Sequence, residues 1–110
     1  MSTLQASGTL TPAAIGTEYT VNGGSFTVDG AYVFEVDTSN MTWGDEVELR
    51  MYKKVISTSG EVQWDMVSYV NVQGNPAKES VPMLSHFSCH FTINQVAGTA
   101  RAFPWAVSTL

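Results

Sequence analysis

Apolar and polar residues alternate along most of this chain, and the alternation has a period of two. Over residues 31–36, Tyr32, Phe34 and Val36 share one face, with Val33 and Glu35 on the other. Over residues 46–56, Val47, Leu49, Met51 and Val55 alternate with Glu46, Glu48, Arg50, Tyr52 and Lys54, and Lys53 interrupts the apolar row. Successive side chains of a strand point to opposite faces, so these segments predict half-buried strands with one face in water. Residues 62–72 predict a further strand with Val62, Trp64, Met66, Val70 and Val72 inward and Gln63, Asp65, Tyr69 and Asn71 outward. The turn at 57–60 joins it to the preceding strand as a hairpin. Residues 84–96 read as one strand, with Phe87, Cys89, Phe91 and Ile93 inward. Residues 101–107 return with Phe103, Trp105 and Val107 inward, and the small turn at 97–100 makes the pair a terminal β-hairpin. Pro104 lacks a ladder donor, which assigns that last strand to an edge or a bulge.

Punctuation supports the same picture. Asn22-Gly23-Gly24 and Asp29-Gly30 are turn signals, because glycine tolerates positive φ. Residues 37–45, DTSNMTWGD, carry side chains that bond nearby backbone N–H groups, a device for moving the chain from one sheet to another. Met41 or Trp43 would then plug the end of the core. Residues 74–82 hold two prolines and read as a loop. No long segment has the spacing of an amphipathic helix. The expected fold is all-β: a single small β-sandwich or jelly-roll-like domain of about seven to eight antiparallel strands over residues 15–110. The small, polar stretch 1–14 precedes it as an N-terminal arm, either flexible or an edge strand.

Composition narrows the function. Hydrophobic residues make up 44% of the 110 and charged residues only 14%, well below the ~25% of an ordinary soluble domain. The net charge is −5, and all five basic residues, Arg50, Lys53, Lys54, Lys78 and Arg101, lie after position 49. An acidic chain without clustered cations is a poor ligand for phosphates, so nucleic acid is not an expected partner. No stretch approaches the ~20 apolar residues of a membrane span, and no basic, apolar leader opens the chain. The single cysteine, Cys89, cannot form an intramolecular disulfide, which fits synthesis in a reducing cytoplasm.

Candidate chemistry is sparse. His86 and His90 would share an outward face of one strand, but they lack a third ligand for a metal. Cys89 and His90, adjacent on a strand, would point apart, which makes Cys89 a buried thiol rather than a nucleophile. Glu46 and Glu48 share a face with Arg50 and Lys54, the pattern of a solvated exterior. Asp37, Asp45 and neighbouring hydroxyls match no calcium loop. Trp64 and Trp105 fall on inward rows, leaving Trp43 as the exposed tryptophan, either a sugar-stacking ring or a cap on the core. No catalytic residue, metal or cofactor is expected.

Two blocks carry a family likeness. One is YVFEVDTSNMTWGDEVELRMYKKV, residues 32–55; the other is HFTINQVAGTARAFPWAV, residues 90–107. They resemble a family of small proteins encoded near the head genes of tailed bacteriophages. The resemblance implies a virion structural protein of the capsid decoration, or cement, type. Such a protein is made in the host cytoplasm and ends on the capsid surface, with the major capsid protein as partner. It is a homo-oligomer on the shell, a trimer being one possibility. Its affinity would come from multivalency and from an ordering arm or a free edge strand. Thr3, Leu4 and Leu10 of the arm, Trp43, Asn75 and Lys78 of the 74–82 loop, and Arg101 are the candidate contact residues. Arg101 has a plainer alternative as the partner of a cross-strand acid. Rival readings are a head fibre, spike or tail component, and a carbohydrate-binding sandwich.

Overall fold

The computed structural model describes residues 2–110 and contains nine strands: β1 (Thr3–Leu10), β2 (Tyr19–Thr20), β3 (Gly30–Asp37), β4 (Glu46–Lys53), β5 (Val62–Val70), β6 (Ala77–Glu79), β7 (Met83–Ser85), β8 (Cys89–Ala97) and β9 (Phe103–Thr109). They form two antiparallel sheets. One has the order β1-β9-β3-β6, with β7 also on β3, and the other β2-β8-β4-β5. The pairings are nested. β4 pairs with β5, β3 with β6 and β7, β2 with β8, and β1 with β9. A long hairpin ribbon rolled up on itself has this order, so the sandwich is a jelly roll.

The core lies between the sheets and follows the alternation. Tyr32, Phe34 and Val36 of β3, Val47, Leu49 and Met51 of β4, and Phe103, Trp105 and Val107 of β9 are all buried. At its centre Phe91 meets Phe26, Tyr32 and Phe34 at ring-centroid distances of 5.7, 5.9 and 5.2 Å. Tilted aromatic contacts of this kind add to the ~1.5–3 kcal/mol that each large apolar side chain gains by burial. Cys89 is fully buried, and burial pushes its thiol up to about 11.

Four expectations are corrected. First, the terminal runs are not a hairpin: β8 pairs with β2 and β4, whereas β9 pairs with β1 and β3 in the other sheet, so the Pro104 strand is an inner one and neither an edge nor bulged at the proline. The 98–102 connection is an arch between sheets, not a turn within one. Second, residues 84–96 are two strands. β7 belongs to the β3 sheet and β8 to the other, and at the crossing Phe87 is 38% exposed rather than inward. Third, β5 has the opposite phase. Its register sets Tyr69 against Val47 and Val67 against Leu49, so those two face inward, and Met66 and Val70 lie opposite Arg50 and Glu46 on the outer face. A register shift at Trp64 leaves that ring 38% exposed. Fourth, most of the arm is not free. Thr3–Leu10 pairs along β9, with Ala6 and Leu10 packed on the core, so of the two readings of this stretch it is the edge strand. Met1 lies outside the described residues.

Candidate interaction surface

The most elaborate local structure is a corner at one end of the sandwich. Asp45 is 1% exposed, and its carboxylate is fully used. Oδ2 accepts from the Thr42 N–H (2.8 Å) and from Arg101 Nε (2.7 Å); Oδ1 accepts from the Thr99 N–H (3.1 Å). Arg101 Nη2 also donates to Thr42 Oγ1. Burial pushes the Asp45 carboxyl up, but these donors and the guanidinium charge outweigh it and hold the group below the usual carboxylate range. Beside it, buried Gln95 donates to the Ala97 and Thr99 carbonyls and accepts from the Arg101 N–H. The Ala-Gly-Thr-Ala-Arg run is therefore an arch whose polar groups are tied by Asp45 and Gln95. Arg101 is committed to its acid, the plainer of its two sequence readings, and is not free for a partner.

The same corner fixes the 38–45 loop. Thr38 is buried and donates to the Pro76 carbonyl, and Met41 inserts into the core at 2% exposure. Asn71 Oδ1 accepts from the Gly44 N–H, and Gly44 takes φ +93°, which only glycine adopts readily. Met41 is thus the plug. Trp43, two residues on, is 78% exposed. A rigid loop with a buried residue on each side presents an indole to solvent.

A second cluster covers the outer face of the β2-β8-β4-β5 sheet, and no local motif announces it. Glu18 accepts from Tyr52 Oη (2.5 Å), Thr92 Oγ1 (2.6 Å) and Arg50 Nη1 (3.2 Å). Burial opposes the charge on Glu18, yet the Thr92 and Tyr52 hydroxyls and the Arg50 cation leave its carboxyl lowered. Glu61 accepts from Ser25 and Ser88 and meets His90 Nδ1 at 2.7 Å, and the His90 ring stacks on Tyr52 at 4.3 Å. His86 lies apart, beside Asp29. The two histidines are therefore not a pair, and among the described residues no group of three metal-ligating side chains forms.

The remaining candidates separate into free and occupied. Thr3 and Asn75 are exposed, and Leu4 is 61% exposed on the outer face of β1. Leu10 packs against the core opposite Phe103. Lys78 sits 4.5 Å over the Tyr69 ring, across a groove of about 210 Å³ between β5 and the 78–81 segment. Phe34, Leu49 and Met51 line the bottom of that groove. A run of exposed apolar residues that was not among the expected contacts lies on β5, where Val62, Trp64, Met66, Val67 and Val70 are all exposed, on both faces of the strand.

No protein-family model, curated protein or solved structure matches this chain.

Proposed function

We propose that this jelly roll is a structural protein-binding module, and specifically a phage capsid decoration protein. On this reading it binds the outer surface of the head and stabilises contacts between major capsid subunits. One observation carries the binding role: Trp43 stands 78% exposed on a loop pinned by buried Thr38, Met41 and Asp45. An aromatic anchor held in place before binding loses little conformational entropy on docking, and tryptophan is enriched among residues that dominate interface energies. The family likeness supplies the shell as partner. The jelly roll, a fold common in capsid and lectin domains, is compatible with it by analogy only. Repetition over a shell would multiply a modest contact.

The decisive experiment has two arms. Quantitative mass spectrometry of purified virions gives the copy number against the major capsid protein. A fixed ratio, with copies in the hundreds, is expected; a handful of copies assigns the protein to a fibre, spike or tail, and absence from the particle refutes both. Co-sedimentation with undecorated heads then compares wild type with Trp43→Ala. Loss of a hot-spot tryptophan is expected to weaken each site by about 2 kcal/mol or more, roughly 30-fold. The same exposed indole favours a second reading, a sugar-stacking site. Retention on a polysaccharide column, lost in Trp43→Ala, is its signature.

A further inference from the structure

We infer that the groove between β5 and the 78–81 segment is a binding site for a small aliphatic monocarboxylate, with Lys78 as the partner of the carboxylate. The inference is independent of the capsid reading and of Trp43.

The groove is where the sandwich stands open. β5 ends one sheet and β6 ends the other, and the two edges leave a space of about 210 Å³ between them. The register decides which side chains turn into it. Val67 and Tyr69 lie opposite Leu49 and Val47, and Asp65 lies opposite Met51, so these three form the inner row of β5. Lys78 lies opposite Val36, which is 2% exposed, so Lys78 points inward from β6. The inner row of a sandwich is ordinarily apolar. Here a half-buried cation takes that position, 4.5 Å over the Tyr69 ring.

Charge and size together define the occupant. Among the described residues no carboxylate pairs with Lys78. The neighbouring acids Glu35 and Glu79 oppose each other on the outer face of the same sheet. The ammonium is therefore unneutralised, in partly dry surroundings where an anion is held more strongly than in water. Next to it the floor is apolar, formed by Phe34, Leu49 and Met51. A carboxylate on Lys78 with an aliphatic chain along this floor satisfies both. Asp65 stands four residues from Tyr69, about 13 Å along the strand. Its charge repels a second anion at that end, which selects a monocarboxylate over a diacid. The volume equals that of about seven waters at ~30 Å³ each, and a methylene takes up about the same space, so a chain of about seven or eight carbons fills the groove.

The test is a titration of the isotope-labelled full chain with octanoate, from about 0.05 to 10 mM, followed by amide and methyl NMR shifts. Saturable shifts are expected at Leu49, Met51 and Val67. Binding should tighten by up to about four-fold per methylene from hexanoate to octanoate and level off at decanoate. Octanol should bind about ten-fold more weakly than octanoate, and octylamine, whose ammonium meets Lys78, more weakly still. Lys78→Met keeps the apolar stem without the charge. It is expected to weaken octanoate about ten-fold and leave octanol unchanged, a split that a merely structural lysine does not produce. Val67→Asp puts an anion on the lip of the groove and is expected to abolish octanoate binding. Amide spectra confirm that each variant is folded, and Lys78→Gln decides if Lys78→Met is not. Octanoate shifts that do not saturate, or that map away from the groove, overturn the inference. So does an octanoate affinity unchanged in the Lys78 variant, or octylamine binding as tightly as octanoate.

Discussion

Replacing Gly98 by alanine should damage this protein more than the same change at any other of its glycines. Gly98 lies in the arch between β8 and β9 with φ +93°. A Cβ there would come within 2.0 Å of Asp45 Oδ1, 2.9 Å of Asp45 Cγ and 2.8 Å of Asp45 Cα. Rotating the aspartate could relieve the first two contacts, but the third is to backbone, so the arch itself must retreat. The left-handed conformation costs an alanine about 1 kcal/mol. Retreat also pulls the Thr99 N–H and the Arg101 guanidinium from a carboxylate that remains buried, and breaking such a pair costs about 3–5 kcal/mol. Arg101 is partly exposed and can recover some of that in water, so the sum is about 3–5 kcal/mol. That is a large part of the ~5–15 kcal/mol that holds a domain together. The assay is urea denaturation followed by tryptophan fluorescence, with Gly60→Ala as the control, since nothing lies within 4 Å of a Cβ at Gly60. A double-mutant cycle with Asp45→Ala isolates the cause. In that background no buried acid is left to strand, so the cost of Gly98→Ala should fall well below its wild-type value, to the left-handed strain of about 1 kcal/mol plus what the remaining 2.8 Å contact with the Cα of residue 45 adds. A loss below 1 kcal/mol in the wild-type background, or an unchanged cost without Asp45, would refute the reasoning.

Acid should destabilise the fold through the Asp45 corner and through the Glu18 and Glu61 clusters on the outer face of the other sheet. The carboxyls of Asp45, Glu18 and Glu61 all titrate lower in the folded chain than in the unfolded one. Their stabilisation is therefore complete above the unfolded values, near pH 4, and is lost as pH falls through the folded ones. Urea midpoints measured from pH 6 to 2.5 should decline over this window, and Asp45→Asn should flatten the decline; an unchanged slope would remove Asp45 from the account. In the core, Phe91→Ala empties the centre of the aromatic cluster and should cost about 3–5 kcal/mol by the same denaturation assay. A cost near 1 kcal/mol would mean that Phe26, Tyr32 and Phe34 collapse into the space.

The strands of the sandwich were legible wherever one face is dry. β3, β4 and β9 each show a clean alternation because both sheets cover their inner rows. β5 misleads for a physical reason. It is exposed on both faces, so burial puts no phase into its sequence, and the larger residues Trp64 and Met66 suggest an inner row that belongs to Val67 and Tyr69. The arch at 98–102 reads as a hairpin turn because a small glycine turn between two apolar runs looks alike within a sheet and between sheets. Only the pairing partners, more than sixty residues away for β1 and β3, separate the two. Among the candidate contacts, the exposure of Trp43 follows from its place in a polar loop. The occupation of Leu10, Lys78 and Arg101 does not, since it depends on Phe103, Tyr69 and Asp45 arriving from other strands. The Glu18 and Glu61 clusters were invisible for the same reason, with Thr92 standing 74 positions from Glu18.

The nested pairing also sets the order in which this chain can acquire its shape. The β4–β5 hairpin closes over a short turn and can form while the ribosome is still translating. β3 must wait for β6 and β7, β2 for β8, and β1 for β9, whose register joins Thr3 to Thr109. At about 5–20 residues per second, β1 waits on the order of 5–20 s for its partner strand to be made. During that wait β3 lacks β9 beside it and β4 lacks β8, so their apolar rows are only partly covered, and topologies so dominated by distant contacts then close on a scale of milliseconds to seconds. The first strand synthesised is the last to find its place, so a crowded cell meets the chain as an open ribbon before it meets a jelly roll.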